Sequence, residues 1–297
     1  MHELSYAQYH PPALNPDYDT PCMDALNRLK WDHGITETAF GMDYAIRCND
    51  RELMDEIIRR GRLMSRPSRA TTVDRVFSII KGGRKGSRRY YNLLYCNHAL
   101  AARSFKLEDV LARLDDLVRL SIAELSRDMV FLHAGAVEWK DRVILLPGQS
   151  FSGKSTLVSE LIGAGATYYS DEYALVDQDG WVSPHDKPLQ IRNSTGENQL
   201  VELPGFTKEV PGRKRLPVSL VVSTRYRQGA KWKPRRLTTG QGVLTLFESA
   251  FAARHSPDTV LTYLHNLLLG AEAIRSPRDE ARSVVLKILN RAERVPA

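Results

Sequence analysis

Nine consecutive residues constrain this chain more than any others. Gly148-Gln149-Ser150-Phe151-Ser152-Gly153-Lys154-Ser155-Thr156 fits the pattern G-x-x-x-x-G-K-[ST] at every fixed position. Its setting fits as well. Arg142-Val143-Ile144-Leu145-Leu146 is a short apolar run closed by Pro147-Gly148, and Thr156-Leu157-Val158-Ser159-Glu160-Leu161-Ile162 carries helical spacing up to Gly163 and Gly165. Strand, glycine loop and helix are thus predicted in that order. The backbone N–H groups of such a loop converge on an anion, the helix N-terminus adds partial positive charge, and Lys154 reaches terminal phosphates. Ser155 is placed to hold Mg²⁺ through its hydroxyl. The alternative is a Gly/Ser-rich turn that matches by chance, against which the strand and helix on either side argue. A nucleotide site formed by Gly148 through Thr156 is the expectation.

The rest of the composition sets bounds on what surrounds that loop. With 297 residues, 42% hydrophobic and 26% charged, the chain is long enough for two modest domains. It opens Met1-His2-Glu3-Leu4 and holds no apolar run long enough for a signal or a membrane span, so a cytoplasmic location is expected. Cys22, Cys48 and Cys96 are few and far apart, which predicts buried thiols rather than a disulfide framework or a cysteine metal site. The excess of 42 Lys+Arg over 35 Asp+Glu, a net +7, favours an anionic partner. Basic residues cluster at 59–62, 81–89, 213–215 and 231–236. Solvated loops account for them, and a nucleic-acid surface is the rival reading because Tyr90, Tyr91 and Trp232 lie beside two of the clusters; both tyrosines also read as strand residues.

In chain order, residues up to about Thr36 read as an irregular lead-in, helical in part. Phe40, Met42, Tyr44, Ile46 and Cys48 alternate as a strand, and Asn49-Asp50 caps a helix ending at Gly61. Strands over 73–81 and 88–96 and an amphipathic helix from Leu107 to about Leu125 complete a small α+β module over residues 1–128. No catalytic constellation is visible within it, and acceptor recognition or packing is its expected role. The second domain, residues 129–297, begins with a strand ending at His133, turns at Lys140-Asp141 and feeds the loop. After the loop helix, Thr167-Tyr168-Tyr169-Ser170 is a strand delivering Asp171-Glu172. Further strands are expected over 189–192 and 217–224, with a mobile loop over 193–215 and a largely helical remainder.

The spacing of the carboxylates narrows the chemistry. Asp171-Glu172 begins only 17 residues beyond Lys154, at the end of the first strand after the loop helix. Two adjacent carboxylates there can divide the work of phosphoryl transfer, one accepting the proton of an attacking hydroxyl and the other binding Mg²⁺. A solvated acidic turn is the alternative. Three stretches, His133-Ala134-Gly135-Ala136-Val137, Pro147 through Thr156, and Gly165-Ala166-Thr167-Tyr168-Tyr169-Ser170-Asp171-Glu172, together resemble the catalytic core of bacterial HPr kinase/phosphorylase and its related kinases. The resemblance covers about residues 129–177, is weaker through 217–224, and does not extend to the N-terminal part. It implies an α/β fold, a P-loop kinase domain of the HPr kinase/phosphoenolpyruvate carboxykinase type preceded by the small α+β domain. By position, Asp171 matches the family's general base, Glu172 its second carboxylate on the Mg²⁺ side and His133 its active-site histidine. Lys154 and Ser155 match its phosphate lysine and Mg²⁺ hydroxyl.

The resulting expectation is an ATP- and Mg²⁺-dependent kinase acting on a hydroxyl, foremost a serine of a peptide or protein. Kinases of the group it resembles tailor ribosomally made peptides such as lasso peptides. Two departures keep rivals open: the family usually carries Asp-Asp where this chain has Asp171-Glu172, and no counterpart of its later Gly-Arg-Asn stretch is found. A nucleotide-responsive regulatory protein without efficient transfer is one rival, and a kinase acting on RNA or a small molecule is the other. Arg192 and Arg213-Lys214-Arg215 are candidates for the positive charge that transfer needs, alongside plain surface roles. The oligomeric state is open, and GTP or pyrophosphate stand beside ATP as donors.

Overall fold

The computed structural model describes residues 12–16, 23–29, 31–62, 65–83, 90–148, 152–184, 214–296 and, for the backbone alone, 190–192 and 198–200. The chain divides into two compact units, Met1–Arg127 and Asp128–Ala297.

The first unit is built on a six-stranded sheet in the order Arg66–Pro67, His33–Ala39, Met42–Cys48, Arg75–Ile80, Asn92–Cys96, Ala99–Ser104. Met42–Cys48 and Arg75–Ile80 run parallel, and the helix Arg51–Arg60 makes the crossover between them. That helix begins where the Asp50 carboxylate accepts the Leu53 N–H and ends at Gly61, whose φ of 58° suits a residue without a side chain. The long helix Leu107–Leu125 buries Val110, Leu111, Leu114, Val118 and Ile122, a stripe at i, i+3 and i+4 spacing. Three sequence expectations need correction. The lead-in has its expected helical part, Met23–Asn27, but also a strand, His33–Ala39, whose side chains are nearly all half-buried and so show no alternation. Phe40 lies in the turn between hairpin strands rather than in a strand, with Gly41 at φ 78°. Tyr90 and Tyr91 precede the Asn92–Cys96 strand and stack on Phe105, with ring centroids 4.8 and 4.2 Å from its own. Cys48 is buried and Cys96 half-buried, both as free thiols, while Cys22 lies outside the described residues.

The second unit is a mixed α/β sheet with helices on both faces. Its strands run in the order Val182–Ser183, Tyr173–Val176, Val130–Trp139, Arg142–Pro147, Val218–Tyr226, Glu272–Arg278, Arg235–Arg236, with Thr167–Ser170 also pairing with Val130–Trp139. Lys140 and Asp141, at φ 52° and 60°, form the two-residue turn that joins Val130–Trp139 to Arg142–Pro147 with a twist suited to an antiparallel hairpin. Arg142–Pro147, Val218–Tyr226 and Glu272–Arg278 are parallel to one another. Val143 through Leu146 are at most 1% exposed, as strands covered on both faces must be. One face packs on the helices Thr239–Phe247 and Pro257–Leu269, the other on Lys154–Gly163 and Val285–Glu293.

The stretch after residue 224 is therefore not simply helical: Glu272–Arg278 is an internal parallel strand. Its periodicity escapes notice because charged residues and Pro277 interrupt a short alternation. Of the loop expected over 193–215, Asn198–Leu200 pairs with Gln190–Arg192 as a two-stranded ribbon, and most of the rest lies outside the described residues. Among the described residues, no helix is long and apolar enough to cross a membrane.

Candidate functional site

Strand register decides what comes together. On one side of Val130–Trp139, Leu146 and Pro147 pair with Gly135 and Ala134. On the other side, Ser170 pairs with Ala136 and Tyr173 with His133, so the two-residue break formed by Asp171 and Glu172 faces the same Ala134 and Gly135. The start of the glycine-rich loop and the carboxylate pair thus flank one short segment. Their backbones are roughly 10 Å apart, two strand spacings. Gly135 also seats the helix that follows the loop, since a Cβ there would come within 2.7 Å of Val158 Cγ2.

The loop runs from Gly148 into the helix Lys154–Gly163; Gln149, Ser150 and Phe151 lie outside the described residues. Gly153 is the N-cap, in the left-handed region at φ 84°. The first N–H groups of the helix, those of Lys154, Ser155 and Thr156 among them, have no carbonyl within the helix to bond, which makes this end a seat for an anion. Lys154 is only 9% exposed, and its Nζ donates to Gly148 O at 2.6 Å. Burial is the main force lowering its ammonium to about 8, with Asp171 and Glu172 pulling the other way.

The carboxylates are held by short local contacts. Tyr168 Oη donates to Asp171 Oδ1 at 3.0 Å, and Ser155 Oγ lies 3.4 Å from Asp171 Oδ2. Burial first, and Asp171 second, push the Tyr168 phenol well above its ordinary range, so it remains a donor. Ser170, 2% exposed, accepts the N–H groups of both Glu172 and Tyr173 and so fixes the kink that turns the carboxylates out of the strand. His133 sits on the Val130–Trp139 strand with its N–H donated to Ser249 O at 2.7 Å and its ring near Phe251. Burial, then Lys154, lower its basicity against a smaller opposing pull from Glu172, which keeps the imidazole neutral near pH 7. The structure thus gathers Gly148, Ser152, Gly153, Lys154, Ser155, Asp171 and Glu172 into one site and puts His133 within electrostatic reach of it.

Among the described residues no group of three His, Cys, Asp or Glu is arranged to hold a metal ion by itself. One hydroxyl and one or two carboxylates fit a cation only if ligand oxygens complete its shell, the usual manner of Mg²⁺ with phosphates.

Sequence reasoning overlooked four residues here. Tyr168 and Ser170 read in the sequence as strand residues of the third resembling stretch, without a role in holding the carboxylates. Arg278 and Tyr226 end two parallel strands and pair with each other in register, far along the chain from the loop. Tyr226 N–H approaches Ser152 O at 3.3 Å, and Arg278 Nη2 donates to Gly153 O at 2.8 Å. The cationic candidates are placed differently from expectation. Arg215 is bound to Asp177 and Asp179 at 2.6 and 2.9 Å, and the side chain of Arg192 and all of Arg213 lie outside the described residues.

No protein-family model matches the chain, and no curated protein does. Among solved structures, the HPr(Ser) kinase/phosphatase from Coxiella burnetii is a weak neighbour, with a TM-score of 0.31 and 14% identity over 55% of this chain and 93% of that one. Such a likeness amounts to a distant relation at most.

Proposed function

We propose that this chain is an ATP- and Mg²⁺-dependent kinase of the HPr-kinase-like kind, with a P-loop kinase domain in its second unit. It would transfer a phosphoryl group to a hydroxyl, foremost a serine of a peptide or protein. What carries this reading is the seating of Asp171 at the mouth of the Lys154–Gly163 helix, 3.4 Å from the Ser155 hydroxyl and hydrogen-bonded by Tyr168, beside a buried lysine. A strong anion seat and a potential base share one site.

In this reading the loop from Gly148 to Thr156 and the helix N-terminus bind the triphosphate, and Lys154 neutralises its terminal groups. Ser155 and Glu172 would hold the Mg²⁺, which when bound neutralises charge on the phosphates. Asp171 accepts the proton of the acceptor hydroxyl while that oxygen bonds to the γ-phosphorus and the bond to the β–γ bridging oxygen breaks, releasing ADP. Neutral His133 is available as a hydrogen-bonding partner. The first unit is assigned to acceptor recognition.

The test uses purified protein, γ-labelled ATP, Mg²⁺ and extract of the host cell. Asp171→Asn should slow label transfer by about 10²- to 10⁴-fold, the usual worth of a general base, while leaving ATP affinity unchanged. Equal labelling by wild type and variant would overturn the assignment of the base. ATP binding without transfer to any acceptor would favour a regulatory protein.

A further inference from the structure

Arg278 is among the most deeply buried side chains in the protein, at 2% exposure, and no property of the sequence marks it for the interior. Its guanidinium donates from Nη2 to Gly153 O at 2.8 Å and from Nη1 to Asp279 O at 2.9 Å, while its Nε is buried without a hydrogen-bond partner among the described residues. It makes no ion pair with a carboxylate among the described residues; Glu280 acts on it only at longer range. A buried cation held by two carbonyls, with a carboxylate acting only at longer range, is an expensive feature, and a bound anion would offset its cost. The carbonyl it grips belongs to Gly153, the left-handed pivot between loop and helix. A side chain at that pivot would collide with the guanidinium, since a Cβ on Gly153 would lie 2.6 Å from Nη2. The nearby Ser152 Oγ is likewise buried without a partner among the described residues.

We propose that Arg278 is the positioning residue of the loop. By holding the Gly153 carbonyl it aims the helix N-terminus at a bound phosphate group, and that phosphate offsets its buried charge. This rests on the nucleotide-binding part of the function proposed above and is independent of the acceptor and of the transfer step. It gives the site a second cation, one that acts through the loop rather than by touching the reacting atoms.

The test compares the full-length wild type with Arg278→Met and Arg278→Gln in calorimetric binding of MgATP and of adenosine, and in thermal unfolding with and without MgATP. The expected result is a loss of about tenfold or more in MgATP affinity, equivalent to roughly 1.4 kcal/mol, with adenosine binding unchanged. The variants should unfold no lower than wild type without nucleotide, yet gain less from saturating MgATP. A purely structural arginine would give the reverse, a lower unfolding temperature with an intact gain from nucleotide. Wild-type MgATP affinity in the variants, or an equal loss for adenosine and MgATP, would overturn the inference and leave nucleotide binding standing. Should Arg278→Met not fold, Arg278→Gln, a shorter uncharged polar side chain, decides by the same criteria. Failure of the wild type itself to bind MgATP would remove the nucleotide reading and this inference with it.

Discussion

Replacing Lys154 by methionine should make the ligand-free protein more stable and the nucleotide-bound protein unobtainable. In the fold the ammonium sits at about 8, against 10.5 for a free lysine, chiefly because burial disfavours its charge. At about 1.36 kcal/mol per pK unit, the charged lysine at pH 7 carries at most roughly 3 kcal/mol of destabilisation, a figure that solvent screening reduces. Methionine has similar reach and no charge, so most of that is recovered, less about 1 kcal/mol for the lost hydrogen bond from Nζ to Gly148 O. The net gain is about 2 kcal/mol, or roughly 4–8 °C in the unfolding temperature of a unit of this size. The sign with pH follows from proton binding. Between about 8 and 10.5 the unfolded chain binds more protons at Lys154 than the folded one, so wild-type stability rises with pH across that window. The variant lacks this rise, and its advantage shrinks from pH 7.5 to pH 10. The assay is thermal unfolding of both proteins at several pH values, with calorimetric ATP titration alongside. A variant that unfolds lower than wild type at pH 7, or that keeps an advantage independent of pH, would refute the reasoning; retained ATP affinity would refute Lys154 as a phosphate ligand.

Two further substitutions probe how the strands hold the site. Gly135→Ala drives a Cβ to 2.7 Å from Val158 Cγ2, an overpacking that should cost about 1–3 kcal/mol and lower the unfolding temperature; an unchanged melting curve would show that the loop helix can shift freely. Ser170→Ala strips the acceptor from the Glu172 and Tyr173 N–H groups at a cost of about 1–3 kcal/mol. It should slow transfer more than it weakens ATP binding, and equal effects on both would mean that the kink does not set the carboxylates.

What the sequence disclosed depended on whether the cue was local. Asp50 and Gly61 bracket a helix because capping chemistry is written within a few residues of each end, and Leu107–Leu125 follows from an uninterrupted apolar stripe. Lys140-Asp141 turns a hairpin by the same local logic. His33–Ala39 was hidden because a strand of half-buried polar residues has no alternation, and it is held by its buried neighbour Met42–Cys48. Arg278 was hidden for a stronger reason. An arginine after a proline reads as surface, and only the parallel pairing of Glu272–Arg278 with Val218–Tyr226 carries it to Gly153, 125 positions away in the chain. Loop, lysine and carboxylates stand out in the sequence as candidates; Tyr168 and Ser170 hold the carboxylates through contacts spanning two or three residues that no motif announces, and Arg278 alone follows from tertiary placement.

That bracing explains why the fold tolerates two unfavourable cations in one place. Lys154 is charged in an environment that resists its charge, and Arg278 is buried against carbonyls that offset only part of its own. Neither arrangement serves the stability of the ligand-free chain, because an apolar side chain of similar length would fill either position without a buried charge. The strands around them are covered on both faces by close-packed apolar side chains. Under the proposed function, donors fixed in advance would need no reorganisation when a phosphate arrives, and the free energy withheld from folding would be released on binding. A surface basic cluster, free to turn its charges into water, could not behave in this way. Under the proposed function, the two cations at the loop, rather than the more numerous lysines and arginines elsewhere, are the ones whose buried charge the nucleotide phosphates would offset.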